Sequence, residues 1–332
     1  MPAIFHGVGQ MQHRTSLFLG SAILLLTSSL MAVNEDMSFN QRFTAYADYV
    51  ALNRDHLNNK KVVSSPGKNL GTKKTLDRFK FESGYRVGLF YHTGSFNSFE
   101  ASFMHVNEWE GSSHIKGMAN LSFPFSNPSF AQDFFQANYA REEYKSQFNT
   151  AEVNWWYHFT PRRVNYFSFS SILGIRYIPL DEEFHLTFKK NTYRSSYDVE
   201  TKNRLYGGHI GGNLQWNPTD ALSWEITGKA GAFYNPVENH LFVGDLNNTV
   251  TLVRFQREGS TTTFLGEAAL LLSYQLGRYV NVHLGYQILY LANLALAPEQ
   301  VTSRTEPTLR SRLNKEGTIM IQGAFAGINF GF

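Results

Sequence analysis

Cysteine does not occur in this 332-residue chain, so disulfide staples, thiolate nucleophiles and cysteine-based zinc centres are excluded together. Charge is scarce as well: Asp, Glu, Lys and Arg make up 17%, against about 25% in ordinary soluble domains. The 30 basic and 27 acidic side chains leave a net charge of +3 without a long run of either sign, which removes the footprint of a nucleic-acid binder. What the chain has instead is aromatic residues, 15% of it, with 28 Phe and 17 Tyr. That load at a mean hydropathy of only -0.29 means that apolar side chains are dispersed by alternation and not gathered in blocks. One large all-β domain fits this composition better than two ordinary ones.

The exception to dispersal is residues 17–30, LFLGSAILLLTSSL, preceded by His13 and Arg14 and followed by Ala32. Gly20, Ser21, Thr27, Ser28 and Ser29 interrupt the run, which is short for a helical span of roughly 20 residues. It reads as a secretory signal peptide over 1–32, with the mature domain occupying 33–332.

The last sixteen residues, GTIMIQGAFAGINFGF (317–332), place Met320, Ala324, Ala326, Ile328, Phe330 and Phe332 on one side, with Gln322 as the break. Alone, this fits either the edge strand of a secreted sandwich or the closing strand of an outer-membrane barrel. In the second case Phe330 and Phe332 form the assembly signal. Nine further alternating stretches precede it: 41–53, 78–92, 97–109, 146–159, 164–180, 201–216, 222–235, 262–276 and 279–293. Short turns join them at 93–96, 160–163, 217–221 and 277–278, and these alternate with long links at 54–77, 110–145, 181–200, 236–261 and 294–316. An even-stranded barrel with short periplasmic turns and long outer loops has this rhythm. The expectation is a transmembrane antiparallel β-barrel of ten strands in a bacterial outer membrane. Residues 183–188 with 193–199, or 250–255 with their neighbours, either add a hairpin and make twelve strands or extend strands above the bilayer.

On this register Arg86, Glu100, Glu152, Arg176, Glu225, Lys229 and Glu267 face away from lipid, where a charge near the midplane is heavily penalised. They either line a solute-selecting constriction or fill a narrow barrel with ion pairs. Trp155, Tyr157, Trp216, Trp224, Tyr234, Tyr274 and Tyr290 sit toward strand ends on the lipid series and suit the interfacial girdles. The glycines of 207–212 lack the Lys and Ser/Thr of a phosphate loop and suit strand bending better. His158, His209 and His283 share no metal-ligand spacing, and no GxSxG elbow occurs. No metal, cofactor or enzymatic activity is expected.

Three segments, LGIRYIPLDEEF (173–184), TKNRLYGGHIGGNLQW (201–216) and WEITGKAGAFYNP (224–236), resemble the outer-membrane β-barrel porin family of planctomycete type, with similarity to the pore-forming outer-membrane proteins of Legionella type. The resemblance implies a barrel with pore activity and transfers no site residues. The expected function is therefore a porin-like passive channel for small hydrophilic solutes. The alternative is a plugged structural or adhesive barrel whose outer loops bind partners. Membrane lipid and the barrel assembly machinery are the expected partners, nucleic acid is not, and oligomeric state stays open.

Overall fold

The computed structural model describes residues 42–56, 61–65, 68–123, 134–160, 166–244, 251–301 and 313–332. The expected signal segment lies outside them. Among the described residues no helix is long and apolar enough to cross a membrane, and the chain spans with strands. These are β1 (Phe43–His56), β4 (Glu82–His92), β5 (Asn97–Leu121), β6 (Ala137–His158), β7 (Phe167–Lys190), β8 (Tyr193–Trp216), β9 (Leu222–Gly244), β10 (Thr251–Gln275), β11 (Val280–Leu294) and β12 (Gly317–Gly331). Between β1 and β4 lie a small hairpin, β2 (Lys61–Ser65) and β3 (Lys68–Gly71), and a one-turn helix, α1 (Thr72–Leu76).

The ten long elements form one closed antiparallel barrel, each strand paired with its neighbours in sequence and β12 returning to β1. Closure leaves no unpaired edge in the bilayer. At the seam Phe43 and Phe332 exchange backbone hydrogen bonds of 3.1 and 2.9 Å. Their rings stack at 5.7 Å, continued by Tyr91 on Phe43 at 5.1 Å and Phe330 on Phe332 at 6.1 Å. The last residue thus closes both the hydrogen-bond ladder and an aromatic row.

The strands β5 to β10 are 22–25 residues long, which corrects the expected strand ends. Much of the links expected at 110–145 and 236–261 is strand, and 181–200 contains only a tight turn at Asn191, whose φ is 57°. Residues 183–188 and 193–199 are the upper ends of β7 and β8, so the twelve-strand alternative falls. The reason is a phase change. In β7, Leu173, Ile175 and Tyr177 point outward while Gly174 and Arg176 point in. From Ile178 on, Leu180, Phe184, Leu186 and Phe188 are the inward residues, and Asp181, Glu183 and His185 face out. The outward face passes from lipid to water, so its polarity inverts and the inward face inverts with it. In sequence this slip looks like the end of a strand.

The outer apolar belt has the height a bilayer requires. On β8 it runs from Tyr206 through Ile210 and Leu214 to Trp216, all exposed, and at roughly 3.3 Å per residue and a tilt near 45° this is about 25 Å. Above it the six long strands rise as a palisade, whereas β11, β12, β1 and β4 are only 11–15 residues long. A topology follows that cysteine labelling can check, since the chain has no cysteine of its own. An impermeant maleimide on intact cells should label Lys189→Cys at the top of β7 and leave Thr93→Cys, in the turn after β4, unlabelled.

Candidate functional site

Within the belt the inward residues form one charged assembly. Arg176 on β7 donates to Glu152 on β6 and, through Nη1, to Glu267 on β10 at 2.6 Å. Lys229 on β9 donates to Glu152 Oε1 at 2.9 Å and lies 3.9 Å from Glu267. Arg86 on β4 donates to Asp48 on β1 at 2.6 Å and to Gln287 on β11 at 3.1 Å. The second oxygen of Asp48 accepts His283 Nε2 at 2.6 Å. Glu100 is saturated by three donors, Tyr46 Oη at 2.8 Å and Asn154 Nδ2 and Trp156 Nε1 at 2.9 Å each. His209 Nε2 donates to Asn154 Oδ1 at 2.8 Å and joins the clusters. Buried charge survives when every carboxylate meets a cation or several donors, and this set meets that condition.

Two glycines shape the wall for this assembly. Gly88 is the cross-strand partner of Tyr46 and Gly285 that of Phe325. A Cβ at either position would lie 2.3 Å from the facing ring, so each ring rests flat on bare backbone. Arg86 is held over them, 4.3 Å from the Phe325 centroid and 6.0 Å from that of Tyr46, a cation–π cradle in addition to its ion pair.

Toward the short-turn end the inward polar groups are imidazoles and hydroxyls. His92 Nδ1 and His158 Nε2 both meet Ser98 Oγ, at 2.8 and 3.0 Å, while His92 Nε2 meets Thr44 at 3.0 Å and His158 Nδ1 meets Ser170 at 2.8 Å. The chain runs around five adjacent strands.

Above the belt the interior is mainly apolar, with a buried polar band on β8–β10 in which Asn235 donates to Asn203 and Thr263, and Asn239 to Thr201. Leu52, Trp109, Tyr144, Phe148, Leu180, Phe184, Leu186, Phe188, Leu291 and Ile321 belong to one buried cluster with Val62, Val63, Leu70, Leu76 and Phe79 of the β2–β3–α1 insertion. The insertion closes the low side of the palisade: β2 pairs with the end of β5 through Ser64 and Ser122, both at 2.9 Å, and Ser113 Oγ donates to Lys74 O at 3.1 Å. A second cover, the 3-10 turn Ala297–Gln300, is fixed from β8, where Asn203 donates to Ala295 O at 2.8 Å and accepts its N–H at 3.1 Å. One ion pair crosses this apolar layer. Glu182 Oε1 accepts Arg54 and the Tyr144 hydroxyl, and Oε2 accepts the Ala297 N–H at 2.8 Å.

Of the seven charged residues singled out in the sequence, Glu152, Arg176, Lys229 and Glu267 are brought into one cluster, Arg86 and Glu100 into two adjoining ones, and Glu225 stands apart, accepting from Asn213 at 3.3 Å. Sequence reasoning missed Tyr46, Asp48, Asn154 and Gln287. Asp48 was legible, since it alternates with Ala47 and Tyr49 on a strand otherwise free of acids between residues 43 and 54. Trp155, Tyr157, Trp216, Tyr234, Tyr274 and Tyr290 are exposed on the outer wall, and Trp224 pairs across the strand with Trp216.

On the outer face above the belt, His185 Nδ1 donates to Asp198 at 3.0 Å, with Glu183 3.4 Å from Nε2. The hydrogen bond to Asp198 holds this imidazole above its usual pKa. Ser196 Oγ donates to the same carboxylate at 3.1 Å. Among the described residues no group of three or more His, Asp or Glu side chains could hold a metal ion.

No protein-family model and no curated protein sequence matches the chain. The outer-membrane protease OmpT from Escherichia coli superposes with a TM-score of 0.52 at 11% identity, covering 90% of this chain and 99% of OmpT. The fold is that of the outer-membrane β-barrels. At this identity the likeness concerns the fold alone and brings no activity with it. The translocator domain of the autotransporter NalP from Neisseria meningitidis (TM-score 0.36, 10% identity, 87% and 88% coverage) and OprG from Pseudomonas aeruginosa (0.26, 8%, 90% and 99%) also match. The apolar belt and this fold together place the chain in a bacterial outer membrane.

Proposed function

We propose that this outer-membrane barrel is closed along its axis and serves to present its tall outer palisade, and the segments carried on it, to partners outside the cell. What supports the proposal is a set of side-chain bridges across the interior. Arg176 to Glu267, Lys229 to Glu152 and Arg86 to Gln287 each join strands three apart in the barrel, so their side chains bridge the interior. An eight-stranded barrel is just wide enough for side chains to fill, and here long charged side chains reach across the wider ten-stranded one. Water and ions would also have to cross the apolar layer, which resists wetting. The palisade adds a positive argument, since about ten residues beyond the belt lift the connecting segments roughly 20–25 Å above the bilayer.

A porin-like channel is the second reading, favoured by the polar inner wall of the belt and by the resemblance of residues 173–184, 201–216 and 224–236 to pore-forming barrels of planctomycete and Legionella type. On either reading residues 1–32 serve as the targeting segment and Phe330 with Phe332 as the assembly signal. Planar-bilayer recording of the folded, heat-modifiable protein separates the two. The closed reading expects a flat baseline at ±100 mV; steady conductance steps would overturn it and support the channel.

A further inference from the structure

A conspicuous unmet group among the described residues is Glu142 on β6, in the apolar layer above the belt. It is fully buried, and neither carboxylate oxygen makes a hydrogen bond of normal geometry. Its cross-strand partners are Ser113 on β5 and Leu186 on β7. Ser113 spends its hydroxyl on Lys74 O of the cap helix. From α1 the nearby polar side chain is Thr75, also buried and without a hydrogen bond of normal geometry. The other charged and titratable neighbours are committed or in water. Tyr144 on the same strand is tied to Arg54 of β1 and Glu182 of β7, and Lys73 and Lys74 of α1 are exposed. Glu299 belongs to the turn packed on β7 and β8.

The geometry points to Glu142 as a pH latch for the β2–β3–α1 cap: protonated, it lets the cap seat on the palisade; ionised, it drives the cap off to admit water. The cap is suited to this. Among its polar ties are the Ser64–Ser122 pair and the Ser113 bond to Lys74 O, and Val62, Val63, Leu70, Leu76 and Phe79 hold it by apolar contact. An unpaired carboxylate beneath it must either take a proton or be hydrated. Burial, opposed only by nearby Thr75, pushes Glu142 up to about 7 from the ordinary 4.5. The closed cap therefore holds the proton more tightly than the open one. Its seating is strongest below about pH 4.5, weakens up to about tenfold per pH unit above that, and levels off past about pH 7. The inference goes beyond the closed-barrel proposal and does not depend on whether the barrel conducts.

Because the chain has no cysteine, a Lys74→Cys/Lys189→Cys pair can carry two spin labels in the full reconstituted protein, one on the cap and one on the palisade. At pH 5 the interlabel distance should be single and narrow. By pH 8.5 a broad, longer component should appear, with the open-to-closed ratio raised by one to two orders of magnitude. The isosteric Glu142→Gln change should keep the narrow distribution at both pH values, and Glu142→Leu serves the same purpose should the amide fold poorly. An unchanged distribution between pH 5 and 8.5 in the Glu142 protein would overturn the latch. So would a pH response that survives in either variant.

Discussion

Replacing Glu182 by alanine should cost about 3–5 kcal/mol of barrel stability, as breaking a buried pair from one side does. Three donors lose their acceptor at once: the Arg54 guanidinium, the Tyr144 hydroxyl and the Ala297 N–H. Arg54 cannot escape by losing a proton. It is 1% exposed, its Nε and Nη1 already make no hydrogen bond of normal geometry, and what remains to it is one neutral acceptor, the Tyr144 hydroxyl at 2.9 Å, and the faces of Tyr144 at 5.2 Å and Phe79 at 5.8 Å. Damage should spread to both covers, since Ala297 begins the 3-10 turn and Phe79 follows the cap helix. The double change Arg54→Met/Glu182→Leu should recover most of the loss, because an apolar pair of similar volume suits this layer and no ion is stranded. Urea unfolding in detergent micelles, read by the heat-modifiable gel shift, gives all three values. A loss below about 1 kcal/mol in Glu182→Ala would mean that water reaches Arg54.

Arg176→Met should be the most damaging change within the belt, again about 3–5 kcal/mol, and should exceed Lys229→Met. Arg176 binds Glu152 and Glu267 together, whereas Lys229 binds Glu152 and only approaches Glu267. Without Arg176 two carboxylates are left with one ammonium, and Glu267 loses its hydrogen-bonded cation. Without Lys229 both acids keep the guanidinium. Bilayer on the far side of the wall offers neither group water, which is why the difference should be measurable. Folding into lipid vesicles against urea tests the order, and equal losses would show that the cluster is wetted and screened. Arg176→Lys should not rescue fully, since a single ammonium cannot hold both acids in the planar fork that arginine offers.

Much of this molecule was legible in the alternation of its residues. Strand count, direction and sidedness followed from runs such as Leu173, Ile175 and Tyr177, and from the alternation of short and long links, because a bilayer demands closure and a fixed apolar height. Strand length was not legible. At Ile178 the apolar series moves to the other parity, and nothing in a linear pattern separates a strand leaving the membrane from a strand that stops. The inward set of charges could be read from parity, but not its pairing. Parity assigns Arg176 to the inside; the barrel's curvature decides that it meets Glu267 three strands away and not Glu225 or Glu100.

Alternation along the chain is enough to specify an all-β, lipid-facing cylinder closed by the stretches at 41–53 and 317–332, because each strand's two faces meet solvents of opposite polarity and one periodicity satisfies both. Which inward side chains meet across the cylinder, as Arg176 meets Glu267, is a matter of closure. Whether inward side chains line a passage or bridge it depends on distances across the barrel, and whether Val62, Leu76 and Phe79 form a loop in water or a cap on the mouth depends on the short strands beside them. Those are contacts between residues far apart in the chain, set by closure and not by any local pattern.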